Sequence, residues 1–228
     1  MEKHMRFYGR RKGRPLRDSR QQLVDELLPK IRISIPEDGK IACEDLFSFS
    51  SKEVWMEIGF GGGEHLAAQA ESNPDIVFLG CEPFINGVAK LLSYVEEKKL
   101  ENVRIYPDDA RHVLDHLPDH CLDRCFVLFA DPWPKARHAE RRFIGKENLD
   151  RLVRVLKEGG ELRLATDVAD LAAWMREACA AHPAFEVLYD STEPPEAWVP
   201  TRYELKGRAA GRGAEYMIFM CRGSGIGD

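Results

Sequence analysis

VWMEIGFGGG, residues 54–63, is a short apolar run that contains Glu57 and continues into a glycine-rich turn. An apolar run of this length predicts a buried strand, and the glycines after it let the backbone approach a bound molecule closely. A dinucleotide-binding fingerprint G-x-G-x-x-G that starts at Gly59 requires glycine at position 64, where this chain has Glu64. The acid disfavours a pyrophosphate and favours a ligand that carries positive charge. A tight turn without a ligand is the alternative interpretation.

Apolar runs and amphipathic stretches alternate along the rest of the chain. This alternation predicts an α/β fold with a seven-stranded, mostly parallel sheet, an antiparallel edge strand and helices on both faces. The last two strands are expected to pair at the edge, because residues 191–213 between them show no helical pattern. One apolar helical stripe, residues 149–156, is expected to end at Gly159-Gly160. The strands are predicted near residues 54–58, 76–81, 103–106, 124–130, 161–166, 185–190 and 215–221.

The composition indicates a globular protein in water. Of the 228 residues, 44% are hydrophobic and 31% are charged, and the longest apolar runs fall far below the roughly 18 residues that a bilayer span requires. We expect a cytoplasmic chain, since no apolar region follows the basic N-terminus. The six cysteines form no C-x-x-C pair and are expected to be reduced. The histidines at 112, 116 and 120 have helical spacing, but Pro118 interrupts it, so we expect no metal site.

The first 20 residues are strongly basic. They carry eight Lys and Arg side chains against two acids, a local charge of +6 in a chain whose net charge is −5. Interleaved aromatic residues and glycines favour an arm that neutralises nucleic-acid phosphates over a merely solvated tail. Apolar residues at helical spacing follow over 23–31 until Pro29 and Pro36. We therefore divide the chain into an arm with a short helix, residues 1–35, and a main domain, residues 36–228. The arm side chains expected to contact phosphates are Arg10, Arg11 and Arg14.

Carboxylates accompany three successive strands of the predicted sheet. Glu57 lies in the first strand, Glu82 follows the second and Asp109 follows the third. Ligands of parallel sheets bind outside the carboxyl ends of the strands, where all three acids fall. We expect Glu82 to accept from ribose hydroxyls and Asp109 from an adenine amino group, although a single acid after a strand is often a helix cap. With the glycine turn, these acids favour S-adenosylmethionine over a nicotinamide cofactor.

Basic groups surround the end of the fourth strand. Residues 130–146 read ADPWPKARHAERRFIGK, with five basic groups and one acid over 135–146. The D-P-W segment stands where nucleic-acid methyltransferases hold the target base beside the methyl donor. A proline-rich turn with a core tryptophan is the alternative. Asp167, which is equally well explained as a helix cap, ends the fifth strand, and T-R-Y-E at 201–204 opens another basic stretch.

Together these motifs resemble the bacterial tRNA (guanine-N7-)-methyltransferases. The resemblance runs through R-R-K-G-R-P in the arm, E-I-G-F-G-G-G, G-C-E-P, D-D-A, D-P-W-P-K-A-R-H, A-T-D and T-R-Y-E, which is nearly the whole chain. It implies a Rossmann-like class I methyltransferase fold. It also implies transfer of a methyl group from S-adenosylmethionine to N7 of the guanine at tRNA position 46, in the variable loop. The family commonly has proline before the D-P-W aspartate, where this chain has Ala130.

The resemblance and the motifs assign roles to named residues. Asp131 is the expected catalytic residue, because N7 has a free lone pair and needs no base, only positioning and stabilisation of developing positive charge. Cofactor contacts are expected at Glu57, Gly59, Gly61, Gly63, Glu82, Asp109, Ala110 and Asp131. Substrate contacts are expected at Lys135, Asp167, Thr201, Arg202, Tyr203 and Glu204. Further phosphate contacts are expected at Arg137, Arg141 and Arg142.

Other functions share part of this pattern. A methyltransferase of another RNA is one alternative. A methyltransferase of a small molecule or a protein would need the carboxylates but not the basic clusters. A non-catalytic RNA-binding module would need the basic clusters alone, and a nicotinamide oxidoreductase is disfavoured by Glu64. We expect tRNA as the partner of a monomer or homodimer.

Overall fold

A computed structural model describes residues 7–41 and 51–223 of the chain. The seven predicted strands are present in a single sheet. They are β1 (Glu53–Ile58), β2 (Ile76–Cys81), β3 (Val103–Tyr106), β4 (Leu122–Leu128), β5 (Leu156–Thr166), β6 (Phe185–Ser191) and β7 (Glu215–Cys221). Their order is β3-β2-β1-β4-β5-β7-β6. Strands β1 to β5 are parallel, and β7 runs antiparallel between β5 and the outermost β6. The predicted fold class and edge pair are confirmed.

Eight helices among the described residues cover the sheet and its edge. They are α1 (Asp18–Glu26), α2 (Leu28–Ile31), α3 (Glu64–Ser72), α4 (Ile85–Lys98), α5 (Ala110–His116), α6 (Lys146–Val155), α7 (Ala169–Ala180) and α8 (Arg202–Ala209), with a 3-10 helix at Ala136–Arg141. Alternate residues of each strand face opposite layers. Met56 joins the core shared with α5, α6 and α7, whereas Trp55 joins the core shared with α3 and α4. Helices therefore cover both faces of the sheet at β1.

One predicted helix boundary was wrong, and one helix was not predicted. Helix α6 ends at Val155 rather than at Gly159-Gly160, because Leu156 is already buried in β5 and pairs with Leu122. Gly159 lies inside β5 and has a φ of 79°, a backbone conformation that favours glycine, so Gly159 belongs to an irregular part of the strand and does not end the helix. Residues 191–213 contain α8, which the absence of an apolar stripe had hidden. Its buried residues are Glu204 and Gly207.

The N-terminal segment packs against the main sheet through two helices instead of one. Pro29 lies in the first turn of α2, where a missing N–H costs little, so it starts a helix rather than ending one. Leu28 is buried in the α3/α4 core. The bridge from Arg32 to Ile105 attaches the segment to β3.

The cysteines and the histidines at 112 and 116 have defined surroundings in the structure. The described cysteines are free thiols, while Cys43 lies outside the described residues. Helix α5 ends at His116, and the His112 Nδ1 atom lies 3.1 Å from the Tyr106 hydroxyl. Within residues 7–41 and 51–223, no cluster of three or more potential ligands is placed to hold a metal ion. No helix in these ranges has the length and apolar character to cross a bilayer.

Candidate active site at the carboxyl edge of the sheet

A cavity of about 410 Å³ opens at the carboxyl ends of the central strands. It lies beside β1 and β4, where the strand order reverses, which is the usual ligand site of an open α/β sheet. The D-P-W segment forms one wall, and arm residues 7–10 close the cavity from outside. The expected cofactor residues that line it are Gly59, Gly61, Glu82, Asp109, Ala110 and Asp131.

The glycine turn forms an open cradle at the end of β1. Gly59, Gly61 and Gly63 have φ values of 73°, 55° and 75°, a region that side chains rarely adopt. A Cβ on Gly59 or Gly61 would meet no atom within 4 Å, so the backbone there faces open space. At Gly63 a Cβ would lie 2.6 Å from the Leu91 Cβ. Gly63 therefore serves helix packing, and the first two glycines leave room for a ligand.

Glu82 is fixed by the backbone of the cavity. Its two carboxylate oxygens accept from the N–H groups of Gly61 and Phe84, each at 2.8 Å. Burial raises the pKa of Glu82, the two N–H donors oppose this, and the nearby charges of Asp131 and Glu57 add to the rise. Each oxygen retains a lone pair, so the carboxylate can accept from a diol at a defined position.

Asp109 combines a cavity position with a structural role. It caps α5 by accepting from the Arg111 N–H at 3.0 Å, and both its oxygens lie 3.0 Å from Arg111 Nε. Burial acts to raise its pKa, but the hydrogen bonds and charge of Arg111 outweigh it and lower the pKa. The carboxylate is therefore charged. Asp109 is a helix cap, as the alternative interpretation expected, and it also lines the cavity.

Glu57 lies behind the glycine turn rather than in the cavity wall. Its Oε2 atom is 2.7 Å from His65 Nδ1 of α3, and both side chains are buried. The His65 ring in turn packs 5.9 Å from the Trp198 ring. In this arrangement Glu57 joins β1 to α3 and supports the turn, and Ile58 faces the cavity instead.

The D-P-W segment is held in an unusual backbone conformation. Phe129 and Trp133, on either side of the exposed Asp131, have φ values of 52° and 43°. Non-glycine residues in this region are strained and persist where surrounding contacts fix them. Here the Phe129 N–H donates to the Ala165 carbonyl at 2.7 Å, and Arg142 Nε donates to the Pro132 carbonyl at 3.0 Å. Strained segments of this kind concentrate at functional sites.

Two neighbours of the segment differ from expectation. Ala130, where the family commonly has proline, is partly buried against the core. Arg142, a predicted phosphate contact, holds the Pro132 carbonyl and lies 5.0 Å over the Trp174 ring. Lys135 and Arg137 are exposed beside the 3-10 helix, as a phosphate contact requires.

The arm reaches the D-P-W segment through an aromatic contact. The Arg141 guanidinium lies 4.3 Å from the Tyr8 ring centroid and 5.1 Å from that of Trp133. Its Nε atom is buried and makes no hydrogen bond within the part of the chain that the structure describes. The Arg141 guanidinium is thus held in the cavity wall, and its Nε–H donor is not used by the described residues.

The arm is also fixed further along the chain. Arg11, a predicted phosphate contact, pairs with Asp108 at 2.7 Å, while Arg10 is exposed. Asn86 accepts from the Gly13 N–H at 2.9 Å and donates to the Arg14 carbonyl at 2.7 Å.

The T-R-Y-E segment forms the start of α8. Thr201 Oγ1 accepts from the Glu204 N–H at 3.0 Å and caps the helix. Arg202 and Tyr203 are exposed, and the Tyr203 ring centroid is 6.0 Å from that of Phe129. The segment therefore lies against the strand that leads into Asp131.

Glu204 is engaged within the protein and does not face the cavity. Its carboxylate is buried and accepts from Trp198 Nε1 at 2.9 Å and the Tyr216 hydroxyl at 2.6 Å. Arg208 pairs with it at 2.6 Å. Asp167 pairs with Arg212 at 2.7 Å, and because Val168 is the N-cap of α7, Asp167 is not that helix's cap.

Sequence reasoning missed several contributors to the site. Most lie on elements whose contacts come from distant parts of the chain, and only the T-x-x-E capping pattern at Thr201 offered a local signal for α8. The missed residues are Tyr8, Phe84, Asn86, Gly87, Arg111 and Trp198.

Comparison with known proteins agrees with this geometry. Residues 51–217 match a family profile described as "Putative methyltransferase". A tRNA (guanine-N(7)-)-methyltransferase of Paramagnetospirillum magneticum is 50% identical over 212 residues, 90% of this chain and 89% of that protein. The chain belongs to this family. A tRNA (guanine-N(7)-)-methyltransferase of Rhodospirillum rubrum is 47% identical and covers 95% of this chain and 88% of its own length.

Solved structures share the fold at low sequence identity. The 16S rRNA methyltransferase KamB has a TM-score of 0.58 at 16% identity, covering 81% of this chain and 95% of that one. TrmN from Thermus thermophilus has a TM-score of 0.55 at 15% identity, covering 89% of this chain and 48% of that one. The fold is a Rossmann-like methyltransferase fold, and the methyl donor of this family member is S-adenosylmethionine.

Proposed function

We propose that this protein methylates N7 of the guanine at position 46 in the variable loop of tRNA. The observation that carries the proposal is Asp131 on a strained, basic-flanked segment at the wall of the cavity. The names of the relatives support guanine N7 of tRNA as the target. The choice of position 46 rests on the family resemblance.

The cavity fits S-adenosylmethionine. The open backbone at Gly59 and Gly61 accommodates a ligand that a Cβ would obstruct. Glu82 presents a fixed carboxylate that suits ribose hydroxyls, and Asp109 adds negative charge that suits an adenine amino group. When bound, S-adenosylmethionine supplies a methyl group activated by its sulfonium charge.

Asp131 acts on charge rather than on a proton. Guanine N7 offers its lone pair without deprotonation, and the imidazole part of the base becomes positive as the new bond forms. A carboxylate at the cavity wall stabilises that charge and orients the base. Asp131 makes no hydrogen bond or ion pair to the described residues, so its oxygens remain available for this role.

Two pairs of aromatic rings belong to the segment around Asp131. Phe129, two residues before Asp131, contacts Tyr203, and Trp133, two residues after it, contacts Tyr8. Sequence-specific RNA recognition uses such rings to stack unpaired bases. We assign the target guanine to this region, with Thr201 and Arg202 at its rim.

We assign the contacts with RNA phosphates to the cations around the cavity. Arg10, Lys135 and Arg137 are exposed, and Arg141 lines the cavity. Asp167 and Glu204 do not suit direct base contact in this arrangement, because their carboxylates are paired. They position α8, and through it Tyr203.

Methyl transfer from labelled S-adenosylmethionine to unmodified tRNA transcripts tests the proposal. Borohydride and aniline then cleave the RNA chain at 7-methylguanosine. We expect cleavage at position 46 and none in a matched transcript with adenine there. Incorporation of the label without cleavage would mean that the methyl group is transferred to an atom other than N7. No incorporation into tRNA would favour another RNA or a small molecule as the substrate.

A further inference from the structure

A second cavity, of about 390 Å³, lies where the arm enters α1. We call it the arginine pocket. Its lining contains no acidic side chain, and its three arginines form no ion pair with other described residues. No aromatic ring lines it, so it offers no platform for a nucleobase. The lining residues are Arg14, Pro15, Leu16, Arg17, Ser19, Arg20 and Asn86.

The placement of these arginines is unfavourable for the protein alone. Helix α1 has nine residues, and Arg17 occupies its N-cap position without a side-chain cap. The N-terminus of a helix carries partial positive charge, which anions stabilise and cations destabilise. Asp18 supplies one acid in the first turn, whereas the pocket lining carries three arginines and does not include Asp18. This charge conflict is relieved if an anion occupies the pocket.

Asn86 connects the pocket to the cofactor cavity. Asn86, the second residue of α4, clamps the arm on both sides of the Gly13-Arg14 peptide bond, at 2.9 and 2.7 Å. Phe84, two residues earlier, lines the cofactor cavity. An anion in the arginine pocket therefore lies on the same end of α4 as the methyl-transfer site.

We propose that the arginine pocket binds a backbone phosphate of the tRNA outside the target nucleotide. This proposal rests on the proposed function. Planar guanidinium groups donate to phosphate oxygens in pairs, and the lining supplies charge without base-reading groups. The occupant is therefore a phosphodiester of the polymer, and Arg17, Arg20 and Asn86 join the RNA-binding surface.

The test compares an R17A/R20A double variant with wild type and with Lys30→Ala. Lys30 is an exposed cation of the same N-terminal segment and lies outside the pocket lining. Binding of an unmodified tRNA transcript is measured across a series of salt concentrations, together with thermal melting and the kcat and KM of methylation. The double variant should lower the slope of log Kd against log salt by about 1 for each phosphate that the protein no longer neutralises.

The double variant should also raise KM for tRNA while leaving kcat and the affinity for S-adenosylmethionine unchanged. Its melting temperature should equal or exceed that of wild type, because two cations leave the positive end of α1. An unchanged salt slope, or an equal change in Lys30→Ala, would overturn the pocket assignment. A fall in melting temperature without a change in slope would show a structural role instead. If wild type itself does not methylate tRNA, the proposed function fails first.

Discussion

Replacing Gly87 by Ala should destabilise the protein and weaken its affinity for S-adenosylmethionine. In an isolated helix this change is favourable by about 1 kcal/mol. In α4 a Cβ at this position would overlap the Gly61 carbonyl oxygen and lie 3.0 Å from its carbonyl carbon. Both obstructing atoms belong to the backbone, so no rotamer change relieves the overlap. The cost then lies near the upper end of the range for overpacking, about 3 kcal/mol.

The net loss is therefore about 2 kcal/mol, since the helix preference offsets about 1 kcal/mol of the cost. For a domain of this size it corresponds to a fall in melting temperature of about 4–8 °C. Movement of Gly61 also disturbs its hydrogen bond to Glu82, so calorimetry should show weaker binding of S-adenosylmethionine. Gly213→Ala is the control, because a Cβ there meets nothing within 4 Å. A Gly87→Ala protein as stable as wild type would refute the packing argument.

Four other outcomes follow from the site. Asp131→Ala should lower kcat by about 100- to 1000-fold while tRNA binding in a filter assay stays unchanged. Burial raises the pKa of Glu82, so this carboxylate becomes protonated at a higher pH than an exposed glutamate. Calorimetry should therefore show that the affinity for S-adenosylmethionine falls as the pH is lowered through that range. The Glu82→Gln variant should not show this pH dependence. Asp109→Ala should cost about 1–3 kcal/mol in denaturant unfolding at pH 7. Because the folded pKa of Asp109 lies below its ordinary 3.8, that difference should vanish only as the pH falls through the lower value. Hydrogen exchange should be slower at the Glu204 amide than at the Gly13 amide.

The strands and their carboxyl-edge acids followed from sequence because both signals are local. An apolar run such as that before Gly59 identifies a buried strand, and chain order then places Glu82 and Asp109 at the same edge. Helix α8 escaped this reasoning for a physical reason. Its buried residues are Glu204 and Gly207, so no apolar stripe marks it.

Side-chain partners could not be predicted from sequence in the same way. The motif around Glu57 predicts a contact with the ligand. In the structure the Glu57 carboxylate is instead hydrogen-bonded to His65, eight residues later in the chain. Glu204 finds its donors in Trp198 and Tyr216, which belong to a loop and to β7. Such pairings depend on how helices and strands pack, and periodicity carries no information about them.

The contacts around the cavity differ in burial and in how easily RNA can replace them one at a time, and this difference indicates which side opens for the RNA. Breaking a buried carboxylate network such as that of Glu204 costs about 3–5 kcal/mol, because the charge loses its donors inside the protein. The arm is held instead by separate and more exposed contacts. They are the half-exposed Arg11–Asp108 pair, worth about 0–1 kcal/mol, the two Asn86 hydrogen bonds and the Ile85 N–H bond to the Arg11 carbonyl, worth about 1 kcal/mol each, and the Arg141–Tyr8 contact, worth about 0.5–1 kcal/mol. RNA phosphates also compete for Arg11 but have no comparable access to Glu204. We therefore expect the arm, rather than α8, to move when the target guanine approaches Asp131.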